Sequence, residues 1–304
     1  MAAGFVIVAG VGAAPSEASG LRHTADPPKA WIDAKSVCLF RLGSGRMPQT
    51  PEELSAALAD GWKQSITLPD PDKAVSIEGG YPAIGTLRID LSDGKLHTGR
   101  RDKIRVNNRV EQDLQVNHLE VRGEPILLQT ARLHMNLTAD SARIDLERDR
   151  RGRPVMMLAD AKSGTFSFDL SQADAEALLL RNAREAASPY GVTVERAQLK
   201  ITPETPRSLA ASLYIETRIA FLPAGMLFKA HVTVDDAMNA RITGLTCDGD
   251  EALGPLIVGL LRPALQAYNG KTRPLLSFPS AALQLRDVAV RVDDSLHLTA
   301  AFGN

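Results

Sequence analysis

Aromatic side chains are scarce: Phe, Trp and Tyr together make up 5% of the chain. Proteins that stack bases or sugar rings depend on aromatic platforms, so this composition points to aliphatic contacts instead. An excess of one charge is also missing. The 35 Lys and Arg are balanced by 36 Asp and Glu, which offers nucleic acid no long-range attraction. Cysteine is nearly absent, and Cys38 and Cys247 show no metal or redox spacing. They permit one long-range disulfide in an oxidising compartment, and two buried thiols are the simpler reading. No apolar run reaches the roughly 20 residues that span a bilayer as a helix.

Catalytic motifs are missing too. No serine sits in a nucleophile elbow, and the glycines of GVGAAP and LGSGR precede no strand-to-helix phosphate loop. His23, His97, His118, His134, His231 and His297 include no pair at zinc-site spacing. Asp248, Asp250 and Glu251 lack the spacing of a calcium loop and read as a helix cap, while Asp235–Asp236 and Asp293–Asp294 read as turns. No enzyme activity, cofactor or metal is expected.

What the chain does have is alternation. From Leu209 to Phe221 the residues Leu209, Ala211, Leu213, Ile215, Thr217, Ile219 and Phe221 fall on one side, with Ser212, Tyr214, Glu216 and Arg218 on the other. A period of two over this length is a strand with one greasy face. Three other segments shift their apolar parity by one residue: Leu114, Val116 to Leu119, Val121; Val192, Val194 to Ala197, Leu199, Ile201; and Leu283, Leu285 to Val288, Val290, Val292. A β-bulge does this, and it bends the ribbon. With 44% apolar residues in 304, the chain can bury a sizeable core.

Further strands are expected at 86–91, 127–137, 142–147, 155–159 and 165–170, and a closing hairpin turns at Asp293 to Ser295. Three helices are expected: one capped by Thr50 with Pro51 and Glu53, one opening at Ser171 with Asp174, and ALGPLIVGLLRPALQAY, Ala252 to Tyr268, capped by Asp248 and Glu251. The last is apolar most of the way round, which calls for burial in protein or contact with lipid.

The opening MAAGFVIVAGVGAA, followed by small residues, reads as a leader cut after Ala14 or Ala18, although a basic n-region is missing. The expected organisation is a signal peptide over 1–20, a loop with a short helix over 21–75, and a curved-sheet domain over 76–304. The expected location is periplasmic or otherwise exported, peripheral to a membrane. Arg148, Arg150, Arg151 and Arg153 crowd one turn, and Arg100, Arg101, Lys103 and Arg105 form a second patch; either is a solvated surface or a contact for anionic headgroups.

The order LSQADAEALL, long bulged strands, ALGPLIVGLLRPALQAY, RPLLSFP and LQLRDVAVRVDDSLHLTAAFG resembles the tubular lipid-binding (TULIP-like) domains of bacterial envelope proteins. These include the phospholipid-binding family of mycobacterial lipomannan elongation and related envelope lipoproteins. The resemblance runs over about 110–304 and is closest over 251–303. It implies an α+β fold in which a long, strongly curved antiparallel sheet wraps one or two apolar helices and holds the acyl chains of a phospholipid or fatty acid in a groove between them. The lining residues would be Leu178, Leu179, Leu256, Ile257, Leu260 and Leu261 from helices, with Leu213, Ile215, Ile219, Phe221, Phe228 and Val232 from strands; for any one of them the alternative is filling a dry core. The rival to lipid binding is a non-catalytic structural or assembly module with a solid core, recruiting a protein through its sheet edges.

Overall fold

The computed structural model describes residues 39–304 except 44, 98–103, 105, 107–108, 220–221, 251–252, 277–279 and 281, together with all side chains in that range but those of Tyr190, Leu260 and Ala264. The leader-like segment, Cys38 and the basic patch at 100–105 lie outside the described residues.

The elements run β1 (Leu39–Arg41), α1 (Pro51–Trp62), β2 (Ile66–Thr67), β3 (Val75–Gly79), β4 (Ala83–Asp90), β5 (Lys95–Leu96), β6 (Gln112–Leu128), β7 (Ala131–Arg148), β8 (Pro154–Ser171), α2 (Gln172–Ala187), β9 (Val192–Thr205), β10 (Ser208–Ile219), β11 (Leu222–Val234), β12 (Asn239–Asp250), α3 (Gly254–Tyr268), β13 (Thr272–Pro274), β14 (Gln284–Val292) and β15 (Ser295–Gly303). They form a ten-stranded sheet ordered β14-β15-β8-β7-β6-β4-β3, with β1 on β8, β5 on β6 and β2 on β5, and a five-stranded sheet ordered β13-β12-β11-β10-β9.

The large sheet is built on β6, β7 and β8, of 17, 18 and 18 residues. Their apolar parity shifts together across the sheet. Leu114 and Val116 give way to Leu119 and Val121; beside them Ala139 gives way to Ala142, around Ser141 in left-handed backbone at φ 49°. In β8 the ladder slips between the Arg143 and Ile144 pairings, so that Leu158 and Ala161 both stay inside. Aligned irregularities of this kind bend a sheet without turning its greasy face outward. The expected bulge in β9 falls at Glu195, between the Arg196 and Val194 pairings, and that in β14 falls at Arg286. Inside the bend sits α1, whose Leu54, Leu58 and Trp62 join one core cluster with Ile84, Leu87, Leu119, Ile144 and Phe302. Thr50 Oγ1 caps α1 by accepting from Glu53 N at 3.2 Å, and Glu53 Oε2 accepts from Gln49 N at 2.7 Å. Each such buried aliphatic side chain contributes about 1.5–3 kcal/mol.

The expected α+β architecture, one curved sheet wrapped around apolar helices, is not what forms. The described residues are mostly β, 60% strand against 18% helix, with two sheets and short helices. The greasy helix α3 is 15 residues long and lies on β12 and β11, with Leu256 65% exposed. It rests on one sheet and is not enclosed. The physical reason is that the long strands satisfy one another: their inner faces close over α1 and against the second sheet, leaving no cavity of helix size to fill. The sheets are antiparallel, as expected, except that β4 and β5 each pair in parallel with β6. Asp248 does not cap α3; it belongs to β12, 3.4 Å from Lys229, and α3 starts behind Leu253 without a side-chain cap.

Candidate functional site: an apolar strip on the second sheet

In the five-stranded sheet, register places the alternating residues of β10 in rows. Leu213 lies between Leu199 and Phe228, Ile215 between Ala197 and Met226, and Leu209 between Pro203 and Val232. Cross-strand neighbours share a face, and Phe228 opposite Cys247 carries that face onto β12. Helix α3 covers its β12 side. A Cβ added to Gly249 would lie 2.3 Å from the Gly254 carbonyl carbon, so only glycine lets the helix start this close. Val258 and Leu265, one helical repeat apart, are buried beneath α3.

At the other side α2 runs along the free edge of β9. Gln172 Nε2 donates to Leu199 O at 2.8 Å, Glu176 Oε1 accepts from Leu199 N at 2.9 Å, and Arg184 Nε donates to Val194 O at 2.7 Å. Helix side chains here take the place of a missing strand, which closes an edge otherwise open to pairing. Ser171 Oγ caps α2 by accepting from Asp174 N at 3.0 Å. Helix α2 packs chiefly on β9 and α3 chiefly on β12. Between them Leu209, Ala211, Leu213, Ile215, Phe228 and Ala230 form an apolar strip that is only half-buried. At the hairpin end of the strip, buried Thr217 donates to Ala224 O at 3.0 Å. Burial, and then the neighbouring Asp248, push the Cys247 thiol up to about 11.

The expected lining residues are thus divided. Leu213, Ile215 and Phe228 lie together on the strip, Leu213 also packing against the main core, and Val232 is buried at its end. Leu178 and Leu179 are buried in the main core as part of α2. Ile257 and Leu261 are half-buried on α3, while Leu256 points to solvent. Ile219 is half-buried at the end of β10. Phe221 and the side chain of Leu260 lie outside the described residues. Two concavities elsewhere flank α1: one of about 260 Å³ touches Ala59, Ile66 and Leu68, and one of about 360 Å³ touches Pro51, Ala56 and Ile77.

The basic turn between β7 and β8 is drawn into its own architecture. Arg148 Nε donates to Glu111 at 3.1 Å, and Arg153 Nε donates to Asp149 Oδ2 at 2.8 Å. Burial works to raise the Asp149 carboxyl, but hydrogen bonds from Arg153 and Arg151 outweigh it and hold the group below its usual range. Arg150 and Arg151 are engaged as well. The strand histidines pair one by one, His118 with Asp140 at 2.9 Å, His231 with Glu204 at 3.0 Å, and His297 with Asp169 and Asp293, while His134 faces Asp169 across the ladder. Among the described residues no three His, Cys, Asp or Glu are arranged to hold a metal ion, and no helix is long and apolar enough to cross a membrane.

No family model and no curated protein matches the chain. Among solved structures, one described as "Crystal structure of lipopolysaccharide binding protein" is similar at 15% identity and a TM-score of 0.20. The match covers 54% of this chain and 53% of that one, so it spans about half the length of each.

Proposed function

We propose that this protein binds lipid acyl chains without catalysis, laying them along the half-buried strip of β10 and β11 between α2 and α3. The observation that supports this is the half-buried apolar face of a central strand, on which Leu213 also touches the main core. Leu209 to Ile215 spans six residue steps, ~20 Å at 3.3 Å per residue. Soluble proteins rarely leave a contiguous apolar surface uncovered unless it meets a ligand, a partner or a membrane.

The strip is shallow, and that sets the affinity. A methylene fully removed from water contributes about 0.8 kcal/mol, so ten half-covered methylenes give about 4 kcal/mol, a millimolar complex before the cost of association. Closing α2 and α3 over the chain would double the gain and bring the complex toward micromolar. Loose, reversible binding suits a protein that passes lipid on better than one that stores it. On this reading the protein works in an envelope compartment next to a membrane, and its cargo is a phospholipid or fatty acid.

The test is a titration of the full chain with fatty acids of increasing length, followed by a fluorescent acyl probe and its displacement. Affinity should strengthen about two- to fourfold per methylene, from roughly 0.4–0.8 kcal/mol each, until the strip is filled. Ile215→Asp and Ala211→Asp, each checked for an unchanged melting transition, should abolish the series. An affinity independent of chain length, or one untouched by both variants, refutes the reading.

A further inference from the structure

From Ala252 to Arg286 the sequence holds Arg262, Lys271, Arg273 and Arg286 and not one Asp or Glu. The fold gathers most of this run along one side of the second sheet. Arg262 is exposed on α3; Lys271 and Arg273 follow its C-terminus into β13. Arg241 sits opposite Thr272 on β12, which adds a fourth cation to the same border. Among the described residues Arg241, Arg262 and Arg273 have no ion pair, and Lys271 Nζ lies 4.5 Å from the centre of the Tyr268 ring. The nearest carboxylates along the register, Asp235 and Asp236 in the β11–β12 turn, are taken up by Asn239 and Arg207. Elsewhere arginines such as Arg88, Arg143, Arg148, Arg153 and Arg218 are answered by carboxylates. The negative end of the α3 dipole favours cations after its C-terminus, but that leaves their outer charge facing solvent.

The same side carries the most exposed large apolar residue among those described, Leu256 on the first turn of α3. An exposed leucine on the first turn of a helix, an unanswered arginine six residues (~9 Å) further along it and more unanswered cations just past its C-terminus make the composition of an element that lies on an anionic bilayer. We infer that the α3–β13 border is the membrane-docking surface of this protein, with Arg241, Arg262, Lys271 and Arg273 meeting anionic headgroups and Leu256 dipping into the interface. This moves the contact away from the β7–β8 turn, whose arginines are already engaged. It rests on the lipid-binding reading only for its purpose: docking along α3 sets the strip beside the bilayer from which a chain would enter.

The experiment is co-sedimentation of the full chain with vesicles of phosphatidylcholine alone and of phosphatidylcholine mixed with phosphatidylglycerol, at low and high salt. Binding should require phosphatidylglycerol and fall with salt. The exposed triple variant R241Q/K271Q/R273Q should lose on the order of a hundredfold, about fivefold per cation, and Leu256→Ala should weaken binding further. Equal binding to neutral vesicles, retention by the triple variant, or loss on R150Q/R151Q instead would overturn the inference. The acyl-probe titration of the same variants in vesicle-free buffer separates the two readings. A triple variant that binds the probe normally but not the vesicles supports docking; a wild-type chain that takes the vesicles but no probe supports docking and overturns the cargo assignment.

Discussion

Replacing Glu176 by alanine removes one carboxylate from α2 and leaves the Leu199 N–H, at the edge of the second sheet, without its acceptor at 2.9 Å. Leu199 is buried, at 7% exposure, so water does not simply take the place of the carboxylate. An orphaned donor there costs about 1–3 kcal/mol. The same change also frees one contact of Gln172, whose Nε2 lies 3.3 Å from Glu176 Oε1. With an unfolding entropy of ~2.1 cal/mol/K per residue, a chain of this size changes by about 0.6 kcal/mol per degree at the midpoint, so the melting temperature should fall by ~2–5 °C. Glu176→Gln keeps an acceptor oxygen and should lose about half as much. Hydrogen exchange gives the residue-level readout: the Leu199 amide should exchange faster in Glu176→Ala, and light scattering should rise as the edge of β9 opens to pairing with another copy. If the melting temperature moves by less than about 1 °C and Leu199 stays protected, α2 is not what closes this edge.

Two further outcomes are expected. His297 is raised above its ordinary value, first by its hydrogen bond to Asp169 and then by Asp293; burial works the other way, and in the ladder Arg291 lies opposite His297 and His134 opposite Asp169. Because the folded value is raised, the pairing contributes fully below about pH 6.5 and is lost as pH rises through the folded value. At a side chain 36% exposed the contribution should stay under about 1 kcal/mol, and urea melts against pH should show this step in wild type and lack it in His297→Gln. Gly164→Ala would set a Cβ 2.2 Å from Phe302 Cζ and 2.8 Å from Thr138 O; with Phe302 1% exposed, the variant should lose about 1–3 kcal/mol. Phe302→Leu in the same chain should lose less than the sum of the two single changes, and strict additivity would rule out the clash.

The bulged strands were legible because a parity shift survives in the sequence whatever surrounds it, and Val194 to Ala197 and Leu285 to Val288 both mark the observed slips. The same shifts misled elsewhere. Around Asp140–Ser141 in β7 and Asp160–Gly164 in β8, polar and small residues at a bulge read as turns, so each strand was divided in two. The true turn at Gln129–Thr130 carries no glycine, asparagine or proline; Gln129 takes φ 59° itself, and a strand was read across it. Caps made within four residues, at Thr50 and Ser171, were visible because their chemistry is local. The division into two sheets was not, because it is decided by which long strand finds which partner. Of the site, the alternation of β10 was plain, and its walls were half seen. Gln172 and Glu176 stand one turn apart on α2, a spacing that puts two polar side chains on one helix face, but nothing local says that a strand edge lies beside them.

The two sheets are committed to different degrees. In the large sheet Leu114, Leu119, Ile144 and Leu146 are buried to 2% exposure or less. In the second sheet, β10 is half-buried almost throughout. The tip of the β9–β10 turn ties them, beside the packing of Leu199 and Met238 in the main core. Pro206 O accepts from Val290 N at 2.8 Å and the Arg207 guanidinium reaches Asp287 at 2.8 Å; within the second sheet, Arg207 O accepts from Val234 N at 2.8 Å and its guanidinium reaches Asp236 at 3.2 Å. The second sheet is therefore pinned to the large one at the end near Leu209, while its other end closes on itself, with Val194, Thr217, Ala224 and Met226 buried beside half-buried Ile219 and exposed Leu222. Regions with few buried apolar contacts open at lower free-energy cost than the core. Under the proposed function, an acyl chain would therefore enter across the half-buried middle of β10, between these two firmer ends.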